Sequence, residues 1–155
     1  MENDRFFMGL AVEEAKKAYE LAEVPVGAVL VSSAGDVLAK AHNLPILSAD
    51  PTAHAEILAI RKGAVAVANY RLPDTTLFVT LEPCAMCVGA MLHARIRRLV
   101  FGASDPKSGA AGSVVDLTRV ASFNHYIEVT GGIRAEECAE MLKRFFQERR
   151  SGIGV

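Results

Sequence analysis

The chain has only three cysteines, almost no net charge, and no apolar run approaching the roughly 20 residues that a bilayer-spanning helix requires. Three cysteines, one of them remote from the other two, argue against a disulfide framework. The missing apolar run excludes a membrane span of the helical kind. A formal net charge of −1 gives no global sign of a nucleic-acid partner, so any such contact needs a local patch. Internal repeats, low-complexity tracts and long linkers are lacking as well. The polar start, residues 1–5, has neither the basic segment nor the apolar stretch of a signal peptide, so a cytoplasmic protein is expected. What is present is an ordinary globular composition, 51% hydrophobic and 23% charged over 155 residues, which suits a single domain, 1–155, with a sizeable core. Arg95, Arg97 and Arg98 form one basic cluster; Lys143, Arg144, Arg149 and Arg150 form another. A solvated face explains either cluster without a ligand. Cys138, in a helical pattern beside Ala139, Met141 and Leu142, reads as a buried structural thiol.

Hydrophobic periodicity predicts an amphipathic helix over 4–22, capped by Asp4 and blocked by Pro25. Strands are expected at 27–31 and 37–41, joined by a Gly-Asp turn as a hairpin. A loop with two prolines follows, then a helix over 53–67 capped by Asp50 or Thr52. A strand at 76–81, a helix over 83–94 opened by Pro83, and a strand at 98–102 imply parallel pairing through a crossover. A short helix is expected at 114–120, a fifth strand at 126–130 and a final helix over 135–150. The order implies an α/β fold, a three-layer α/β/α sandwich around a five-stranded mixed sheet.

The chemistry concentrates in His54-Ala55-Glu56 and Pro83-Cys84-Ala85-Met86-Cys87. Cys84 and Cys87 stand three apart, so on a helix both thiols project within about 60° of each other. The first turn after Pro83 supplies unpaired N–H groups and the positive dipole end that favour thiolates. His54 completes three donors for zinc, which leaves a fourth position open. Two thiolates and a neutral imidazole balance the charge of the dication. Glu56 then stands as a candidate proton carrier rather than a ligand. His54 and Glu56, two apart, point to nearly opposite sides of a regular helix; the conflict eases if His54 lies at the irregular start. Alone, Cys-x-x-Cys also suits a redox pair or half of a structural zinc site. A redox pair leaves His54 and Glu56 unexplained, and carboxylates are uncommon in structural zinc sites.

His-x-Glu followed by Pro-Cys-x-x-Cys is the signature of the zinc-dependent nucleobase deaminases. The stretches 23–31, 50–56, 69–72, 77–84 and 100–103 resemble the bacterial tRNA-specific adenosine deaminases of the cytidine/deoxycytidylate deaminase superfamily. The most family-specific stretch is Lys107-Ser108-Gly109-Ala110-Ala111-Gly112-Ser113. The resemblance spans nearly the whole chain and implies a cytidine-deaminase-like fold and one Zn²⁺ per subunit. The implied reaction is hydrolytic conversion of the wobble adenosine of a tRNA anticodon to inosine, with release of ammonia. It implies His54, Cys84 and Cys87 as zinc ligands, a zinc-activated water adding at C6, and Glu56 as the proton shuttle. Asn43 and Ala55 are implied at the base, Asp105 and Lys107 near the bound nucleotides, and Arg149 and Arg150 on the anticodon stem-loop. Residues 151–155 add little basic charge to that end. A homodimer is implied too, and Met86, Met91 and Leu92 could pack inside the monomer or against a partner. A deaminase of a free nucleobase or nucleoside is the alternative on the same fold.

Overall fold

The computed structural model describes residues 2–152; Met1 and residues 153–155 lie outside it. Helix α1 (Glu2–Glu20) leads into strands β1 (Gly27–Val31) and β2 (Val37–His42), then helix α2 (Ala55–Val67). Strand β3 (Thr76–Leu81), helix α3 (Ala85–Ala94) and strand β4 (Arg98–Ala103) follow. Strand β5 (Glu128–Thr130) and helix α4 (Ala135–Arg150) complete the described chain. The sheet order is β2-β1-β3-β4-β5. β1 pairs antiparallel with β2 and β3, whereas β3–β4 and β4–β5 are parallel, so the five-stranded mixed sheet is as expected.

Side-chain alternation along the strands builds the three layers. Ala28, Leu30, Leu77, Val79, Leu99 and Phe101 face one way and pack with Ala55 and Ala59 of α2 and Val88, Met91 and Leu92 of α3. Val29, Val31, Phe78 and Val100 face the other way, onto Met8, Ala11 and Ala15 of α1 and Cys138 and Met141 of α4. Continuous burial along β1 is what a strand covered on both faces requires. Gly27 lets α1 approach that closely: a Cβ there would lie 2.0 Å from the Ala11 carbonyl oxygen and 2.5 Å from the Ala15 nitrogen. The Gly27 N–H donates to Thr80 Oγ1 at 3.1 Å, so the start of β1 and the end of β3 meet at one end of the sheet.

Three local expectations differ from the structure. Asp4 does not cap α1. It lies inside the helix, buried, and receives two hydrogen bonds from Arg98, at 2.8 and 2.7 Å. Arg98 also donates to Thr130 Oγ1, so one guanidinium ties α1, β4 and β5 together. Its pull on Asp4 outweighs burial and holds that carboxyl below the usual range. The rest of that basic cluster is likewise engaged, Arg97 with Glu128 and Arg95 with the Leu92 carbonyl. No helix forms at 114–120. Val114 and Val115 are 54% and 48% exposed, with no layer to bury an apolar face. The segment instead closes turns, with Gly112 N–H donating to the Val115 carbonyl and Thr118 N–H to Asp116 Oδ1. Finally, Asp50 accepts from Thr52 in a local turn and leaves the cap of α2 to other groups.

Candidate active site

The site lies where β3 ends and the N-termini of α2 and α3 converge, the usual place for a ligand in a sheet with parallel strands. His54 and Cys84 are the N-cap residues of α2 and α3, with extended backbones at φ −71°, ψ 150° and φ −78°, ψ 176°. Neither side chain turns back to cap its own helix. Both are therefore free to point outward, and the i, i+2 conflict between His54 and Glu56 disappears because only Glu56 lies within the helix. Cys84 also precedes the first turn rather than sitting in it, while Cys87, three residues on, is fully buried.

The donor atoms form a tight triangle. Cys84 Sγ and Cys87 Sγ lie 3.6 and 3.4 Å from His54 Nδ1, and the two sulfurs are 3.7 Å apart. Tetrahedral zinc with ordinary Zn–S and Zn–N bonds would hold such donors about 3.6 Å (N···S) and about 3.8 Å (S···S) apart. The agreement is the fit test for the metal, and the triangle leaves one corner of the tetrahedron unclaimed. Cys87 and His54 together hold the Cys84 thiol down to about 3, while the Cys84 thiolate and burial push Cys87 up. His54 is raised by its contact with Cys84. The cluster thus collects negative charge that protons must otherwise offset, and a dication suits it. Both helix dipoles add to the effect.

Glu56 is 4% exposed, and burial pushes its carboxyl up to about 7. It lies close enough to Cys87 for the two groups to shift each other. A carboxyl poised near neutrality can both take up and give back a proton.

Comparison with known proteins matches residues 1–103 to the cytidine and deoxycytidylate deaminase zinc-binding region. The chain belongs to the zinc-dependent cytidine and deoxycytidylate deaminase family. A tRNA-specific adenosine deaminase of Haemophilus influenzae is 55% identical over 96% of this chain and 86% of its own length. One from Bacillus subtilis is 47% identical over 97% of the chain and 92% of its length. A solved structure from a study of A-to-I editing by tRNA:A34 deaminases superposes with a TM-score of 0.85. It is 47% identical and covers 88% of this chain and 99% of that one. The fold is therefore that of the tRNA deaminases, with zinc as the metal of the family and His54, Cys84 and Cys87 positioned to hold it.

Around this deaminase centre the remaining expected residues take varied places. Asn43 is buried and accepts a 2.8 Å hydrogen bond from the Ala55 N–H at its Oδ1. It does from the start of the preceding loop what a cap would do for α2, and only an oxygen can accept there, so Nδ2 is fixed as the other end of the amide. Ala55 is fully buried, and its N–H is committed to Asn43. Asp105 organises a turn: its Oδ1 accepts from the N–H groups of Lys107 and Ser108. Lys107 is exposed on that turn. Arg149 stacks its guanidinium 5.1 Å from the Phe145 ring centre and donates to the Ala22 carbonyl, and Arg150 is exposed. Both sit at the end of α4, in the layer across the sheet from α2 and α3.

Three buried carboxylates escaped the sequence reading, and the first, Glu14, is paired with Lys17 and His42. Glu23 accepts from the N–H groups of Ile46 and Leu47, fixing the loop that follows Asn43. Glu82, one residue before Pro83, is 2% exposed. Its signal in the sequence was an acidic residue directly after a mostly apolar, buried strand, where burial is expected and a charge is not.

Proposed function

We propose that the protein deaminates the wobble adenosine of a tRNA anticodon to inosine and releases ammonia. The observation that carries the reaction is the three-donor cluster with an open corner beside the buried Glu56. The substrate rests on relatives of that name, 55% and 47% identical over nearly the whole chain. When bound, zinc supplies the Lewis acidity that makes water a nucleophile at neutral pH. His54, Cys84 and Cys87 hold it. Glu56 takes up the two protons of the attacking water in turn at a carboxylate oxygen, delivering the first to N1 of the adenine and the second to the departing amino group, which leaves as ammonia. Asn43, its Oδ1 held by Ala55, presents Nδ2 as a donor to an acceptor on the purine edge. Lys107, Arg149 and Arg150 offer charge to the phosphates of the stem-loop, whose unpaired bases are splayed at modest cost. A tRNA substrate supports a cytoplasmic location. No described helix is long and apolar enough to cross a membrane.

The test is an anticodon stem-loop with adenosine at the wobble position, followed by quantification of inosine and ammonia. Turnover of that RNA is expected. Deamination of free adenine or guanine with an inert stem-loop would replace this reading by the free-base alternative.

The active form is a homodimer. Met91 and Leu92 pack inside the subunit, but Met86 is 37% exposed and a Cβ on Gly89 would meet nothing within 4 Å. Beside them a cleft of about 410 Å³ is lined by Gly89, Leu92, Leu117 and Phe123 among others. A helix apolar on every side belongs in an interior, and a second copy provides one. Light scattering is expected to read twice the chain mass; the mass of one chain at micromolar concentration would refute it.

A further inference from the structure

We infer that Glu82 is a positioning residue: its buried carboxylate clamps the 105–113 loop to the helix end that carries Cys84, and so sets how the RNA meets the metal centre. This rests on the tRNA reading above. Glu82 Oε1 accepts from the Asp105 N–H at 3.0 Å and from the Ser113 hydroxyl. Oε2 accepts from the Ala111 and Ser113 N–H groups, each at 3.0 Å. Among the described residues no Lys, Arg or His pairs with it. A buried carboxylate is costly for stability alone, so its partners indicate what it is for. All four hydrogen bonds go to one loop.

Two independent contacts point the same way. The Ala110 N–H donates to the Pro83 carbonyl at 2.9 Å, one residue before Cys84. At Gly109 an added Cβ would lie 2.4 Å from the Glu82 carboxyl carbon, so the loop lies flat on the carboxylate and a side chain there would push it out of its hydrogen bonds. Inside the loop, Asp105 shapes the turn and leaves Lys107 pointing to solvent. The clamp therefore fixes a cation and a rim of backbone relative to the N-terminus of α3. Glu82 itself, sealed beneath the loop, touches no substrate.

Glu82→Gln keeps the size but turns an amide NH₂ towards N–H donors. On the wobble-adenosine stem-loop its KM is expected to rise about tenfold, the size of losing one charge-assisted hydrogen bond. Its kcat should stay within about threefold and its zinc content should be unchanged, because the reacting groups are untouched. Hydrogen exchange should quicken at the Ala111 and Ser113 amides and not at Val88. Ser113→Ala, at an exposed residue, removes only the hydroxyl and should raise KM about threefold; it decides the matter if Glu82→Gln does not fold. Unchanged KM and exchange in the variants overturn the clamp. So does a loss of zinc and kcat at constant KM, which would put the effect on the metal helix. A wild-type protein inert on the stem-loop would instead refute the tRNA reading, and the exchange data would still judge the clamp.

Discussion

Glu56→Ala is expected to lower kcat by about 10²–10⁴-fold, the usual contribution of a positioned acid and base, while the protein keeps its zinc. The two halves of that result follow from separate features. The carboxyl lies inside the first turn of α2, two residues beyond the cap residue that carries the imidazole, and it is no part of the donor triangle. Removing it leaves the three donors 3.4 to 3.7 Å apart and able to bind. What disappears is the group proposed to move protons between water, ring nitrogen and leaving amine. Glu56→Gln tests the same point at constant volume and should be equally inactive. Neither variant should melt lower than wild type by much, since the carboxyl is 4% exposed and its burial is a cost to folding. The decisive measurements are single-turnover deamination of the stem-loop and metal content by atomic absorption. Turnover that survives in Glu56→Gln would remove the proton-shuttle role.

The central strands β1, β3 and β4 were legible because the sheet is covered on both faces there and their middles are runs of buried, mostly apolar residues. The zinc donors were legible because Cys-x-x-Cys and His-x-Glu carry their spacing on the surface of the sequence. What spacing left open was direction. His54 and Glu56 diverge on an ideal helix, and only the extended backbone at residue 54 reconciles them. The polar errors share a cause, namely groups whose partners lie elsewhere along the chain. Asp4 looked like a cap because nothing local shows Arg98, 94 residues away. Asp50 and Thr52 looked like caps for α2, yet Asn43 supplies the acceptor from the preceding loop. Glu82 finds its amides 23, 29 and 31 residues downstream. A helix at 114–120 was inferred from local composition, but no sheet face remained to bury it.

Cys87→Ala is expected to empty the metal site, and that outcome separates the ligand role from the catalytic one. Cys87 is fully buried at the third position of α3, facing both His54 and Cys84. Without it only two protein donors remain, too few for a stable zinc site of this class, and turnover should fall to background with the zinc. Stability offers an independent readout. Zinc present at about 100 times its Kd stabilises the wild type by about 2.7 kcal/mol. For a chain of this length that corresponds to a Tm shift of roughly 5–10 °C between zinc-loaded and chelated protein. Cys87→Ala should show no such shift, and should melt somewhat below chelated wild type because a buried sulfur has been removed. The contrast with Glu56→Ala matters most here. If Glu56 were the fourth ligand of a closed structural site, its removal would also cost zinc and shrink the Tm shift. Retention of metal in Glu56→Ala together with its loss in Cys87→Ala is the pattern that only an open, catalytic site produces. Full zinc occupancy in Cys87→Ala would mean that another group ligates, and the open-corner geometry would fall.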